Sequence, residues 1–92
     1  MGRKKNFTLE PGVGTELEVD RGDIDDAGNR EWFVSAWNPN SGVHCHYLTT
    51  RTGVVVTSSL DGDTLHLIID GRSVASAQPG RSGEIAMLRP LA

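Results

Sequence analysis

The side chains best suited to metal binding in this sequence are three histidines and a single cysteine. His44, Cys45 and His46 are consecutive, so on a β-strand the two histidines share one face and the cysteine points to the other. Such a pair can hold zinc when further ligands converge, and His66 on a neighbouring strand is the obvious third. No Cys-x-x-Cys or His-Glu-x-x-His motif accompanies them. We therefore predict no metal and no other cofactor. The open alternative is that the three imidazoles converge on a metal ion.

Nucleophilic catalysis by Cys45 would need an imidazole within hydrogen-bond reach of its thiolate. Its histidine neighbours diverge from it on a strand, which makes them poor bases. The sequence has no Gly-x-Ser-x-Gly motif and no phosphate-binding loop, and Gly12-Val13-Gly14 is followed by strand-like residues instead of a helix. These patterns predict that the protein is not an enzyme, and that Cys45 is a small buried apolar residue.

Acidic side chains are concentrated between Asp20 and Asp26. Their spacing lacks the alternating ligands and the closing glutamate of an EF-hand calcium loop. Arg21-Gly22-Asp23 spells a cell-adhesion tripeptide, but no signal-peptide pattern precedes it, so we interpret it as part of a turn. We predict a solvated acidic loop over residues 21–30, with one helical turn near residues 24–27, that can meet a basic surface on a partner.

The elements that must position these residues are short apolar runs separated by turn-forming residues. The Asp-Gly pairs at 61–62 and 70–71 each separate two apolar runs, which is a strong signal for a type I′ hairpin. Leu65, Leu67 and Ile69 alternate with polar neighbours and give the clearest inward face. The predicted strands are TELEVD, EWFVSAW, VHCHYLTT, GVVVTSSL, DTLHLIID, RSVASA and GEIAMLR.

These runs predict an all-β fold. It is a small antiparallel meander of about seven strands, six of them consecutive between Trp32 and Arg89, that closes as a barrel or a compact sandwich. Closure would protect the strand edges from pairing with other chains. At 92 residues the chain is long enough for one domain, which we place over residues 15–92, preceded by an N-terminal arm over residues 1–14.

The arm combines a basic tip with a short alternating segment. Arg3, Lys4 and Lys5 are followed by Phe7 and Leu9 at alternate positions, and the Pro-Gly-Val-Gly stretch at 11–14 then breaks the pattern. Such a segment either frays or lies extended on a neighbouring subunit. In the second case Phe7 and Leu9 are the predicted anchors, and the cations would meet an acidic surface.

The first strand of the meander carries aromatic side chains on both faces. Trp32 lies on one face, while Phe33 and Trp37 lie on the other. We predict that this strand is covered on both sides, by the core of the domain and by a protein partner or the N-terminal arm. The predicted protein interface is therefore Phe7, Leu9, Trp32, Phe33 and Trp37.

The charge, the cysteine count and the lengths of the apolar runs limit the partners and the location of the protein. A net charge of −3 argues against general affinity for nucleic acid, although Arg51, Arg72, Arg81 and Arg89 could converge on one rim. One cysteine excludes an internal disulfide, and no apolar run is long enough to span a membrane. We predict a protein that acts inside a cell or is assembled there.

Together these features favour a non-enzymatic interaction protein. The most concrete hypothesis is a small capsid accessory protein of a tailed phage, for head decoration, which oligomerises (a trimer is one form) and docks on the larger protein shell, in the virion or the host cytoplasm. The alternative is a small intracellular regulator or inhibitor that binds one protein through its acidic loop. A nucleic-acid-binding β-barrel is the third hypothesis.

Overall fold

A computed structural model of the chain describes residues 6–79 and the strand Ile85–Met87. The described part contains eight β-strands and no helix. In chain order they are β1 (Phe7–Glu10), β2 (Glu16–Ile24), β3 (Arg30–Trp37), β4 (His44–Thr49), β5 (Val54–Asp61), β6 (Thr64–Ile69), β7 (Arg72–Pro79) and β8 (Ile85–Met87). The predicted all-β class is confirmed.

The strands form two sheets that pack against each other. One has five strands in the order β1-β5-β6-β7-β8, and the other has three in the order β2-β3-β4. All pairings are antiparallel except β1 with β5, which is parallel. The described strands do not close into a barrel, so that half of the prediction is not supported. Within residues 6–79 and 85–87 there is no helix long and apolar enough to cross a membrane.

The core lies between the two sheets and is built mainly from β-branched residues and leucine. β6 supplies Leu65 and Leu67, both fully buried, and Ile69 is nearly so, which confirms the predicted inward face. Val34 and Ala36 of β3 approach from the three-stranded sheet and are equally inaccessible to solvent. Burying one such aliphatic side chain is worth roughly 1.5–3 kcal/mol, so this interface supplies most of the favourable free energy of folding.

The two Asp-Gly pairs make different hairpins. Asp70 and Gly71 have φ of 50° and 82°, as a type I′ turn requires, between the paired residues Ile69 and Arg72. At the other pair only the glycine has positive φ, at 62°, and the register places Gly62-Asp63 at the centre of the turn. That is the type II′ arrangement, in which glycine occupies the first central position.

The predicted acidic loop over residues 21–30 is wrong at residues 21–24 and at Arg30, which are strand. β2 continues to Ile24 through a bulge, β3 begins at Arg30, and a tight turn joins them. Asp25 holds that turn: its Oδ1 accepts hydrogen bonds from the backbone N–H of Ala27 at 3.0 Å and of Asn29 at 2.8 Å. No helical turn forms there. The density of acids and glycine predicts a loop, but β2 continues through them by means of the bulge between Arg21 and Ile24.

The predicted six-strand meander is divided between the two sheets. Strands β3 and β4 belong to the three-stranded sheet, whereas β5 to β8 belong to the other. The chain crosses from one layer to the other through residues 50–53, where Gly53 has φ of 72° and donates its N–H to the Asn6 carbonyl at 2.6 Å. A turn-forming stretch alone does not show whether the chain returns to the same sheet.

Part of the predicted arm is a strand of the same chain. Phe7–Glu10 pairs with β5 in parallel, with Phe7 opposite Val54 and Leu9 opposite Val56. Phe7 turns inward and packs on the core. The rest of the arm before Asn6, including the cations at positions 3–5, lies outside the described residues.

The connection from β1 to β2 is fastened to β5 at one point. The backbone N–H of Gly12 donates to Ser58 Oγ at 3.1 Å, and the Thr15 and Ser58 hydroxyl oxygens are 2.5 Å apart. The Thr15 hydroxyl also lies 2.8 Å from the Gly12 carbonyl oxygen, to which it donates. Both hydroxyl side chains are buried, so the backbone at Gly12 passes directly over β5.

Candidate functional site

One side of the three-stranded sheet faces away from the core and collects aromatic, imidazole and acidic side chains. The strand register arranges them in three rows that run across β2, β3 and β4. We call this surface the outer face, and its rows are Glu16–Trp37–His44, Glu18–Ser35–His46 and Asp20–Phe33–Leu48. It combines Glu16, Glu18 and Asp20 of β2 with two of the four aromatic residues of the predicted interface, Phe33 and Trp37.

Three rings of the outer face are stacked side by side. The centroids of Trp37 and His44 are 5.9 Å apart with an interplanar angle of 21°. His44 and His46, two positions apart on β4, are 6.1 Å apart and within 10° of parallel. We call these three near-parallel rings the ring platform.

Both histidines of the platform are fixed by hydrogen bonds through Nδ1. His44 Nδ1 lies 2.8 Å from the Gly42 carbonyl oxygen, which only accepts, so this nitrogen carries the proton. Neutral His44 therefore leaves Nε2 free as an acceptor. His46 Nδ1 is 2.9 Å from the Ser35 hydroxyl, which is buried beneath it on the neighbouring strand. These bonds fix the ring planes on which the stacking depends.

Partial burial, followed by the charge of protonated His44, lowers the pKa of His46 below its ordinary value of 6.5. Between 6.5 and that lower pKa the unfolded chain binds more protons than the folded chain. The stability contributed by neutral His46 is thus complete above pH 6.5 and is lost as pH falls through this window.

An NMR titration of the imidazole C–H signals checks this electrostatic coupling. The pKa of His46 should lie below 6.5 in the native protein and should rise when His44→Gln removes the neighbouring charge. The variant His46→Gln should show a weaker loss of stability over the same pH window. A native pKa at or above 6.5 would contradict the coupling.

A shallow depression of about 310 Å³ lies in the outer face beside the stacked rings. The indole of Trp37 and the two imidazoles line one part of it, and the carboxylates of Glu18 and Asp20 line another. A guanidinium or ammonium group placed here would have aromatic rings and carboxylates as neighbours, which favours lysine or arginine. The depression therefore suits a basic side chain of a partner.

The three histidines do not converge on one point. His66 lies on the exposed side of the five-stranded sheet, where its Nδ1 is 3.5 Å from the Ser73 hydroxyl, whereas His44 and His46 lie on the outer face. Across residues 6–79 and 85–87, no three metal-binding side chains come close enough to hold an ion. The alternative of a three-imidazole metal site is not supported.

Cys45 lies in the core and is inaccessible to solvent. Desolvation by burial raises the pKa of its thiol to about 11, so the thiol stays protonated at neutral pH. The adjacent histidines lie on the opposite side of the sheet, as the strand alternation predicted. Its place in the core makes Cys45 a packing residue, and a protonated thiol is a poor nucleophile.

The five predicted interface residues do not form one patch. Phe7 and Trp32 pack on each other edge to face, with centroids 5.5 Å apart, on the inner side of the sheets. The indole N–H of Trp32 is buried and has no acceptor among the described residues. Phe33, 46% exposed, and the half-buried Trp37 lie on the outer face, while Leu9, 41% exposed, lies on β1. Phe33 and Trp37 thus remain on one face as candidates, the first exposed and the second half-buried.

The residues that complete the outer face are not part of the protein interface predicted from the sequence. Leu48, 36% exposed, lies opposite Phe33, and His44 lies opposite Trp37. Strand alternation predicted which way each side chain points. It did not predict the register between strands, which brings these side chains into the same rows.

Searches against protein-family models, curated proteins and solved structures found no match to this chain.

Proposed function

We propose that the protein is a non-enzymatic interaction protein that binds other copies of itself, and then a larger protein shell, through the outer face. The observation that carries the proposal is the combination of exposed Phe33 and Leu48 with the ring platform of Trp37 on one side of a sheet. Exposed apolar and aromatic side chains grouped on one surface are typical of protein interfaces, where tryptophan often contributes most of the binding energy.

Charge complementarity supports a second copy of the chain as the first partner. Glu16, Glu18 and Asp20 are exposed along the edge strand β2 and give the outer face a row of three negative charges. The sequence supplies three positive charges close together at Arg3, Lys4 and Lys5, ahead of β1. We propose that the basic tip of one subunit binds the acidic row of the next.

A head-to-tail contact of this kind joins a surface patch on one subunit to a different segment on its neighbour. Such contacts close into rings when the rotation between subunits allows it, and a trimer is the ring proposed here. In its most concrete form the protein is a small accessory protein of a tailed-phage head, which decorates the shell as an oligomer and occurs in the virion and the host cytoplasm. What supports that form is the β-rich subunit with separate acidic and basic segments.

Light scattering on the purified chain tests the proposal. The full chain should form an oligomer, with a mass of at least two chains of 9.9 kDa each. Removing only residues 1–5, which leaves β1 intact, should shift the equilibrium to monomer, as should the variant Glu16→Gln/Glu18→Gln/Asp20→Asn. Trp37→Ala should weaken association about 30-fold, because a tryptophan hot spot is worth about 2 kcal/mol.

A matched control comes from acidic residues of the other sheet. Glu10→Gln/Asp61→Asn/Asp63→Asn removes the same charge from exposed positions outside the outer face and should leave the oligomer unchanged. A monomeric full chain at every concentration would rule out self-association. An oligomer that survives the triple change on β2 would show that the outer face is not the contact.

The second candidate function is a regulator that binds one basic protein through its acidic residues. The β2–β3 hairpin end favours it, because Asp25 uses its carboxylate to hold the turn while Asp23 and Asp26 remain exposed. This function predicts that the chain is monomeric when alone. It also predicts a defined heterocomplex that depends on Asp23 and Asp26. Salt-sensitive binding to DNA or RNA would instead support the nucleic-acid hypothesis.

A further inference from the structure

A second concave region lies away from the outer face, at the end of the two sheets where the chain crosses from β4 to β5. This end cleft has a volume of about 340 Å³. Its lining comes from both sheets and includes Tyr47, Arg51, Val54, Ile69, Arg72 and Val74. Ligand sites in proteins start at roughly 300 Å³ and often lie between packed layers, so the end cleft has room for a small molecule.

The floor of the end cleft is apolar and its mouth is basic. Val54, Ile69 and Val74 each expose less than a tenth of their surface and form its apolar floor. Arg72 is exposed at the mouth and forms no ion pair with the residues that the structure describes. Arg51 Nη2 lies 3.7 Å from Asp70 Oδ2, a distance too long for a hydrogen bond, and the Arg51 side chain is largely exposed.

Two guanidinium groups above an apolar floor define the chemistry of the ligand. Guanidinium groups bind carboxylates through two parallel N–H···O bonds, and the floor can bury an alkyl or aryl chain. We infer that the end cleft binds a small amphipathic organic anion, with its carboxylate between Arg51 and Arg72 and its apolar body against Val54, Ile69 and Val74. This site is independent of the outer face and of the self-association proposed above.

Asp70 controls access to one of the two cations. Its Oδ1 accepts from the Val55 N–H at 2.9 Å, which fixes the carboxylate beside Arg51. A bound carboxylate would have to compete with Asp70 for that guanidinium and would be repelled by its charge. Asp70→Asn keeps the acceptor for Val55 and suits the positive φ of 50°, yet it removes the competing charge. It should therefore tighten binding of an anion.

An NMR titration of the ¹⁵N-labelled full chain with octanoate tests the inference. Amide signals around the end cleft should shift, and octanoate should bind at least about tenfold more tightly than octylammonium, which has the same tail and the opposite charge. Arg72→Gln should weaken octanoate binding by about tenfold, because it removes a charge-assisted bond. Asp70→Asn should strengthen it, and the control Arg21→Gln, on an exposed position of β2, should leave it unchanged.

Equal binding of octanoate and octylammonium would overturn the inference, since it would show an apolar cleft without anion recognition. Shifts confined to the outer face, or octanoate binding that Arg72→Gln leaves unchanged, would also overturn it. The substituted residues Arg21, Asp70 and Arg72 are all exposed, so the changes should leave the fold intact. The amide spectrum of each variant checks this directly. A loss of self-association in the light-scattering experiment would not affect this result.

Discussion

Replacing Gly12 by alanine is expected to lower the free energy of unfolding by about 3 kcal/mol, the upper end of the range for overpacking. A Cβ at this position would overlap the backbone carbonyl oxygen of Ser58, which cannot move without distorting β5. The same shift would break the hydrogen bond from the Gly12 N–H to Ser58 Oγ. Urea unfolding of the variant and of the unchanged chain measures the difference.

Gly28 provides the matched control for this substitution. Its φ is 87°, which alanine adopts only with strain, but no atom lies within 4 Å of the added Cβ. Gly28→Ala should therefore cost only about 1 kcal/mol, from backbone strain alone. Equal losses at the two positions would show that the close approach to Ser58 is not what makes Gly12 necessary.

Leu67→Ala is expected to destabilise the protein by about 3–4 kcal/mol, because it removes a fully buried side chain and leaves a cavity between the sheets. For a domain of this size such a loss should lower the Tm by at least about 12 °C. Thermal unfolding followed by circular dichroism measures it. The expected loss is large because Leu67 lies in the middle of β6, a central strand with a neighbour on each side.

The control for the core substitution is Val55→Ala on β5. Val55 is 39% exposed and points away from the core, so its truncation should cost less than about 1 kcal/mol. A loss at Val55 as large as that at Leu67 would mean that the exposed side of the five-stranded sheet is covered in solution. It would then contradict the assignment of inner and outer sides.

Local patterns in the sequence were sufficient to predict most strands and one hairpin in detail. The turn at Asp70-Gly71 has the geometry predicted from its two residues alone, because their φ values depend on local sterics. The inward face of β6 followed from strict alternation of apolar residues. Both features depend on residues adjacent in the chain, and sequence patterns describe such neighbours directly.

The features that the sequence did not predict depend on distant residues. Nothing local distinguishes a turn that returns to its own sheet from the crossing at residues 50–53, and nothing in Phe7–Glu10 indicates a parallel partner at β5. The extension of β2 to Ile24 differs from the prediction because the segment is dense in acids and glycine, which favours a loop, whereas the pairing with β3 continues through a bulge. For the outer face, the direction of each side chain could be predicted, but the register that brings Trp37 beside His44 could not.

The parallel pairing of β1 with β5 has a consequence for synthesis of the chain. Phe7 and its partner Val54 are 47 positions apart, so β1 leaves the ribosome long before the strand that accepts it exists. At roughly 5–20 residues per second, the nascent chain waits about 2–9 seconds with this strand unpaired. The β2–β3 hairpin forms from adjacent segments within that time, and the two sheets are joined only after translation has passed residue 61.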